Sequence, residues 1–360
     1  MEQENTNNMQ QASKETTRKL ASVQVINKIE ELNKMKTLDI AHILGWNLLV
    51  KKNEFKPGDK VVFFEIDSLL PSTVEWAQDF KKIDYKVSTC KIGGHISQGL
   101  IISLQKIFGN DVKLDDFPVG MDLTQRLGIT KYENDADEVS PGVKSTVDYG
   151  ALKFPDELIE KSDEPRLQSK LKYLDLFKGK PFYSSLKYDG TSGTYVIDPK
   201  TKAYYICSRN RVQDPNSGKN NWYVQMDKKY NIYDKLLKSG CKYAIQGEIY
   251  GPKIQNNNLN IDEVKIAVFC IKDLSKNKYL GLDEMIEACK ELDLPMVEVI
   301  ERGDSFDYTL EQLLEKSKGY YPNSTHYREG LVYRLQDNWR QAEERYSFKV
   351  INDDYLLQKK

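Results

Sequence analysis

FYSSLKYDGTSGTYVID, residues 182–198, is two β-like runs joined by Lys187-Tyr188-Asp189-Gly190. Ser184 to Leu186 lead into the four residues and Thr191 to Ile197 lead out of them. Short runs of β-branched and aromatic residues bounded by turn formers are the mark of strands. Lys187 therefore stands at a strand end, from which its side chain projects into a cleft. Alone, K-x-D-G is a surface turn in many proteins, and it gains meaning only from the residues downstream of it.

Five further short motifs succeed it in fixed order: Ser208-Arg209-Asn210, Gly247-Glu248-Ile249-Tyr250-Gly251-Pro252, Val268-Phe269, Glu329-Gly330-Leu331-Val332-Tyr333-Arg334, and Ser347-Phe348-Lys349-Val350. Together they supply one candidate nucleophile, two glutamates, an aspartate, two arginines and a second lysine. All are flanked by apolar strand formers that would aim them into one pocket. The set, from Lys187 to Asn352, resembles the covalent nucleotidyltransferase superfamily of ligases and capping enzymes, most closely its RNA ligase 2-like branch. The most specific piece is GEIYGPKIQNN, residues 247–257. With a barrel-like region ahead of it and DEPRLQ at 163–168, the arrangement is similar to RNA ligases of the Naegleria type.

The resemblance implies an ATP-dependent RNA ligase that joins a 3′-hydroxyl end to a 5′-phosphate end through a lysyl-AMP intermediate. Lys187 would carry the AMP, Glu248 accept a hydrogen bond from the ribose, and Phe269 stack on adenine. Glu329, with Glu248, would bind Mg²⁺ or Mn²⁺, and Lys349 would contact the α-phosphate. Arg209 would grip phosphate, a task its planar fork suits, while Asp189 and Ser192 line the pocket. Arg166, Gln168, Gln255 and Arg334 are further expected nucleotide or RNA contacts. The substrate is expected to be RNA ends, as a nicked duplex, and the protein a monomer.

The chemistry requires a neutral amine, whereas an ordinary lysine with a pKa of about 10.4 is protonated at neutral pH. A neighbouring cation lowers that value, and Lys349 and a divalent metal are the expected ones. Phage-type ligases carry two lysines one residue apart in the last motif. Here Val350 and Ile351 follow Lys349, so either Lys349 serves both roles or Arg345 substitutes. Arg334 stands where a lysine is common. Relatives that join DNA or cap RNA continue into a second barrel, and the eleven residues after Lys349 leave no room for one, which favours the RNA ligase branch. A capping-type guanylyltransferase and an inactive RNA-binding protein are the alternatives.

The fold class expected is α+β. Residues 166–360 are expected to form an antiparallel-sheet nucleotidyltransferase domain, with helices near Asn231–Leu237, Asp283–Leu292 and Leu310–Lys318. Ahead of it, SVQVINKIEEL, AHILGWNLLVKK, DKVVFFEIDSLLP and SQGLIISL are short strands separated by turns such as Lys56-Pro57-Gly58-Asp59. They suit a small oligonucleotide-binding (OB) barrel over 19–130, with a helix near Trp76–Phe80. Residues 131–165 lack periodicity and are expected to be a linker, and 1–18 a disordered tail.

The net charge of −1 excludes a polycation that coats nucleic acid indiscriminately, so contacts must come from local patches such as Lys51-Lys52, Lys178 with Lys180, or Lys228-Lys229. Five scattered cysteines with no C-x-x-C pair, and only three histidines, argue against zinc and disulfides. No apolar run approaches the ~18 residues of a membrane span, and the N-terminus MEQENTNNMQQASKETTRK is too polar for a signal peptide. An intracellular home, cytoplasmic or nuclear, is the expectation.

Overall fold

The computed structural model describes residues 18–132, 152–216, 221–337, 340–341 and 344–358. They divide into two compact units, the first comprising the described residues up to Tyr132 except Leu44–Trp46 and Thr89–Lys91, which group with the second. Of the expected tail only Arg18 is described, and it belongs to the first unit. Its guanidinium meets Glu65 at 2.8 Å and Asp67 at 2.9 Å.

The first unit is built on two three-stranded sheets. One orders Ala21–Val25, Lys60–Phe64 and Leu100–Ser103, and the other Lys28–Glu30, Leu38–Ile43 and Trp46–Lys51. Period-two alternation is clearest in Trp46–Lys51, where buried Trp46, Leu48 and Val50 alternate with Asn47, Leu49 and Lys51. Gly58, at φ +90°, turns the chain into Lys60–Phe64, and the Asp59 carboxylate accepts from the Lys56 N–H at 2.9 Å. Val23, Val62, Phe64 and Ile102 form the core with Leu70 and Ala77. The helix expected near Trp76 is a 3₁₀ helix, Glu75–Ile83.

The second unit holds two antiparallel sheets. One orders Val299–Gly303, Phe182–Lys187, Gly330–Leu335 and Ser347–Ile351. The other orders Tyr204–Cys207, Thr191–Ile197, Tyr243–Tyr250, Lys265–Asp273 and Lys278–Tyr279. Lys187 ends a strand of the first and Thr191 begins a strand of the second, so the K-x-D-G turn is where the chain crosses between sheets. Helix Leu310–Ser317 starts with a reciprocal cap, the Thr309 hydroxyl accepting from the Gln312 N–H and the Gln312 amide oxygen from the Thr309 N–H. Leu282–Glu291 and Ile232–Lys238 match expectation to within a residue. Trp222–Tyr230 was not foreseen. It is capped by the Asn221 side chain, and Asn231 in the left-handed region separates it from Ile232–Lys238.

Of the expected linker, 131–165, only residues 131–132 and 152–165 are described. Of the described part, Phe154 and Ile159 are buried in the second unit's core beside Leu167, Phe177 and Phe348. A segment of turns and irregular chain fills a core through isolated side chains, without the periodicity that marks helices and strands. Ile159 is fully buried, so Ile159→Ala should destabilise this unit by about 2–5 kcal/mol. Urea unfolding measures it. A solvated linker position would change stability by under ~0.5 kcal/mol.

Candidate active site

The four-stranded sheet sets the first half of the site. Lys187 pairs with Gly330 and Gly330 with Ile351. The next row on that face is Ser185, Val332 and Lys349, and the one beyond it Tyr183, Arg334 and Ser347. Directly opposed residues share a face, and alternate residues repeat it. Lys187, Lys349 and Arg334 thus leave the sheet on the same side. Glu329 immediately precedes Gly330, which lies at φ +149°, and a β-carbon there would fall 2.1 Å from the Val350 carbonyl oxygen. Only glycine lets this strand enter so close to its neighbour.

The Lys187 amine donates to Glu329 Oε2 at 2.8 Å, with both side chains largely enclosed at 22% and 17% exposure. Burial lowers the amine's pKa, but the carboxylates of Glu329, Glu248 and Asp189 more than offset it, and the pKa is raised above the ordinary lysine value. The amine's strongest charged neighbours are therefore acids and not the cations expected from sequence. Buried Tyr321 ties the pair together: its hydroxyl donates to the Lys187 carbonyl at 2.8 Å and accepts from the Glu329 N–H at 3.1 Å.

The five-stranded sheet supplies Glu248, opposite Ser192 on one side and Ala267 on the other. Gly190 explains how this sheet reaches Lys187. A β-carbon on it would lie 2.3 Å from the Ile249 carbonyl oxygen and 3.0 Å from Glu248 Cγ, so the bare turn rests on the strand that carries the glutamate. Burial is the main force raising the Glu248 carboxyl, to about 7, against the opposing pull of Lys187. Asp189 is buried and accepts from Asn258 Nδ2 at 2.6 Å, which anchors the turn from beneath. Phe269 is the residue skipped by the ladder, since Gln246 pairs with Cys270 and Gly247 with Val268. A bulge re-aims the side chain it carries, and Phe269 stays half-buried among fully buried neighbours.

Residues 162–166 lie along both sheets. The Ser162 and Ser192 hydroxyls are 2.8 Å apart. Glu164 accepts from Arg334 at 2.7 Å and from Ser347 Oγ, and the Pro165 carbonyl accepts from the Lys349 N–H at 2.8 Å. Between these ties, the Asp163 carboxylate meets Arg209 at 2.8 Å and Lys349 at 3.3 Å.

The expected residues thus separate. Lys187, Glu248, Glu329 and Asp189 converge, Ser192 flanks Glu248, and Arg209 and Lys349 meet at Asp163. Arg334 is held by protein groups. It is 2% exposed, engaged by Glu164 and the Phe269 carbonyl, and its charge centre lies 5.9 Å from the Phe269 ring. Arg166 and Gln168 are likewise buried, Arg166 bridging to the Lys349 strand and Gln168 within the turn Leu167–Ser169. Gln255 is exposed on the turn after Tyr243–Tyr250 and makes no hydrogen bond to this set among the described residues. Ile351, two places beyond Lys349, is buried and apolar, and the Arg345 side chain falls outside the described residues. Ser162, Asp163, Glu164, Asn258 and Tyr321 were not anticipated. DEPRLQ was the one local signal for the acids among them.

The RNA ligase family profile matches residues 180–351, and an OB-fold domain profile matches 20–104. Naegleria gruberi RNA ligase with PPi is 28% identical at a TM-score of 0.81, covering 94% of this chain and 98% of that one. A variant of that ligase with AMP and Mn has the same identity and TM-score over 95% and 100% of the two chains, as does another variant with ATP and Mn. Residues 180–351 carry an RNA ligase family domain. None of the curated proteins matches it. The ligase has the expected α+β architecture, an N-terminal OB fold followed by the antiparallel nucleotidyltransferase unit. No helix among the described residues is long and apolar enough to cross a membrane.

The raised Glu248 pKa carries a stability cost with a definite sign. Its carboxyl ionises at about 7 in the ligase and at 4.5 in an unperturbed chain, so the folded state binds more protons between these values and stability falls as pH rises through that window. Glu248→Gln removes the cost. The nucleotide-free variant should be about 1–3 kcal/mol more stable than the parent at pH 8, with the gain vanishing near pH 4.5. Thermal denaturation across pH measures it.

Proposed function

We propose that this ligase seals 3′-hydroxyl and 5′-phosphate RNA ends, with a nicked duplex as the preferred form and a monomer as the working unit, through AMP carried on Lys187. The observation that carries the reading is the enclosed Lys187 amine 2.8 Å from Glu329, at the junction of two sheets that also deliver Glu248, Arg209 and Lys349.

In the first step the Lys187 Nζ lone pair attacks the α-phosphorus of ATP, an N–P bond forms, and the bond to pyrophosphate breaks. The AMP then passes to the RNA 5′-phosphate, and the 3′-hydroxyl oxygen displaces AMP from that end. Before the first step the amine must release a proton. Glu329 Oε2, already its hydrogen-bond acceptor, is placed to receive it. Phosphate arriving with its counter-ion also alters the acidic field that favours the ammonium form. Glu248 would hold the ribose, the half-buried ring of Phe269 would stack on adenine, and Arg209 and Lys349 would neutralise phosphate charge.

Mg²⁺ or Mn²⁺ fits the donor set. Among the described residues no three His, Cys, Asp or Glu side chains are grouped to hold a metal by themselves. A hydrated divalent ion needs only one or two carboxylates and completes its shell with phosphate oxygens, which suits Glu329 and Glu248. The ion would offset charge on the phosphates.

Incubation with α-labelled ATP and Mg²⁺ or Mn²⁺ should leave label on the protein, more than with GTP, and Lys187→Ala should leave none. Because the amine starts protonated, the labelling rate should rise about tenfold per pH unit through neutrality. Label retained by Lys187→Ala would reject the assignment.

A further inference from the structure

Arg209 lies in the bend after strand Tyr204–Cys207 and Lys349 within strand Ser347–Ile351 of the other sheet, yet their charged groups converge on one carboxylate, that of Asp163. The convergence is built into the backbone on either side. Ser162 is tied to Ser192 of the five-stranded sheet, while Glu164 is tied to Arg334 and Ser347 of the four-stranded one. The Lys349 N–H bonds to the Pro165 carbonyl as well. Asp163 is therefore delivered to this position by both of its neighbours, with 44% of its side chain still open to water. An oxygen anion held between a guanidinium and an ammonium has the recognition chemistry of a bound phosphate. Removing it without replacement would leave two like charges facing each other, and a phosphate group would relieve that repulsion equally well.

We propose that Asp163 is a placeholder for phosphate: in the nucleotide-free ligase its carboxylate occupies the anion seat between Arg209 and Lys349, and an incoming phosphate or departing pyrophosphate competes with it for that seat. This rests on the reading of Arg209 and Lys349 as phosphate-binding residues. The placeholder keeps the two cations ordered and close before a nucleotide arrives, and it returns to the seat as pyrophosphate leaves. Its exposure keeps each ion pair weak enough to exchange, since water screens such contacts.

The test is calorimetric titration of the nucleotide-free full-length protein with inorganic pyrophosphate and Mg²⁺. Asp163→Asn, and separately Asp163→Ser, should bind pyrophosphate about threefold to fivefold more tightly than the parent. Simple loss of structure would weaken binding instead. In an Arg209→Gln background the gain from Asp163→Asn should shrink towards nothing, because the carboxylate then competes for only half a seat. Weaker or unchanged binding in both Asp163 variants, while Arg209→Gln alone weakens it, overturns the placeholder but leaves the phosphate site standing. If Arg209→Gln also leaves pyrophosphate binding unchanged, the seat itself is not a phosphate site, and the reading beneath the proposal fails with it.

Discussion

Everything in the second unit depends on an ammonium held against a carboxylate in a largely enclosed place. Lys187 and Glu329 come from adjacent strands, and burying either alone would be costly because an unpaired charge away from water is strongly disfavoured. The backbone absorbs that constraint through particular residues. Gly330 lets the Glu329 strand lie against Val350, Gly190 lets the turn settle on the Glu248 strand, and the Tyr321 hydroxyl bonds to the backbone of both partners. A buried ion pair is weak evidence for stability. On the function proposed above, it is a prepared reactive amine, restrained by acids until phosphate arrives.

The same arrangement separates the two sign problems of the chemistry. Carboxylates surround Lys187, whereas the cations suited to phosphate, Arg209 and Lys349, gather around Asp163. A negative nucleotide approaching the amine would meet Glu329 and Glu248 unless a divalent ion or these cations offset them. Glu248, with its carboxyl raised to about 7, can shed part of its charge near neutrality and reduce the repulsion. Arg334 belongs to the support. Enclosed with Glu164 on the same side of the sheet as Lys187, it fixes the segment that presents Asp163.

Much of this was legible in sequence because the candidate side chains sit at strand ends, where short apolar runs and glycines advertise their positions. Lys187, Glu248 and Glu329 each stand beside a glycine that the packing requires or a strand that the pattern reveals. What stayed hidden has a common physical cause. Asp163 finds Lys349 across 186 residues of chain and Tyr321 finds Lys187 across 134, and neither lies on a periodic element. Phe154 and Ile159 went unrecognised for the same reason. Around Lys187 the acids stand nearest in the nucleotide-free protein, which motif content does not reveal, since it gives the charges that gather but not their order of approach. Asn231 in the left-handed region obscured a helix by dividing the pattern in two.

The most direct test of the account is the titration of Lys187 itself, followed by NMR in nucleotide-free protein carrying ¹⁵N at the lysine side-chain amines and assigned with Lys187→Ala. The account predicts that this amine titrates above the ordinary lysine value of 10.5, and that Glu329→Gln brings it down. A Lys187 pKa already depressed towards neutrality in the absence of nucleotide would contradict it, because the acids would then not be what holds the amine in check.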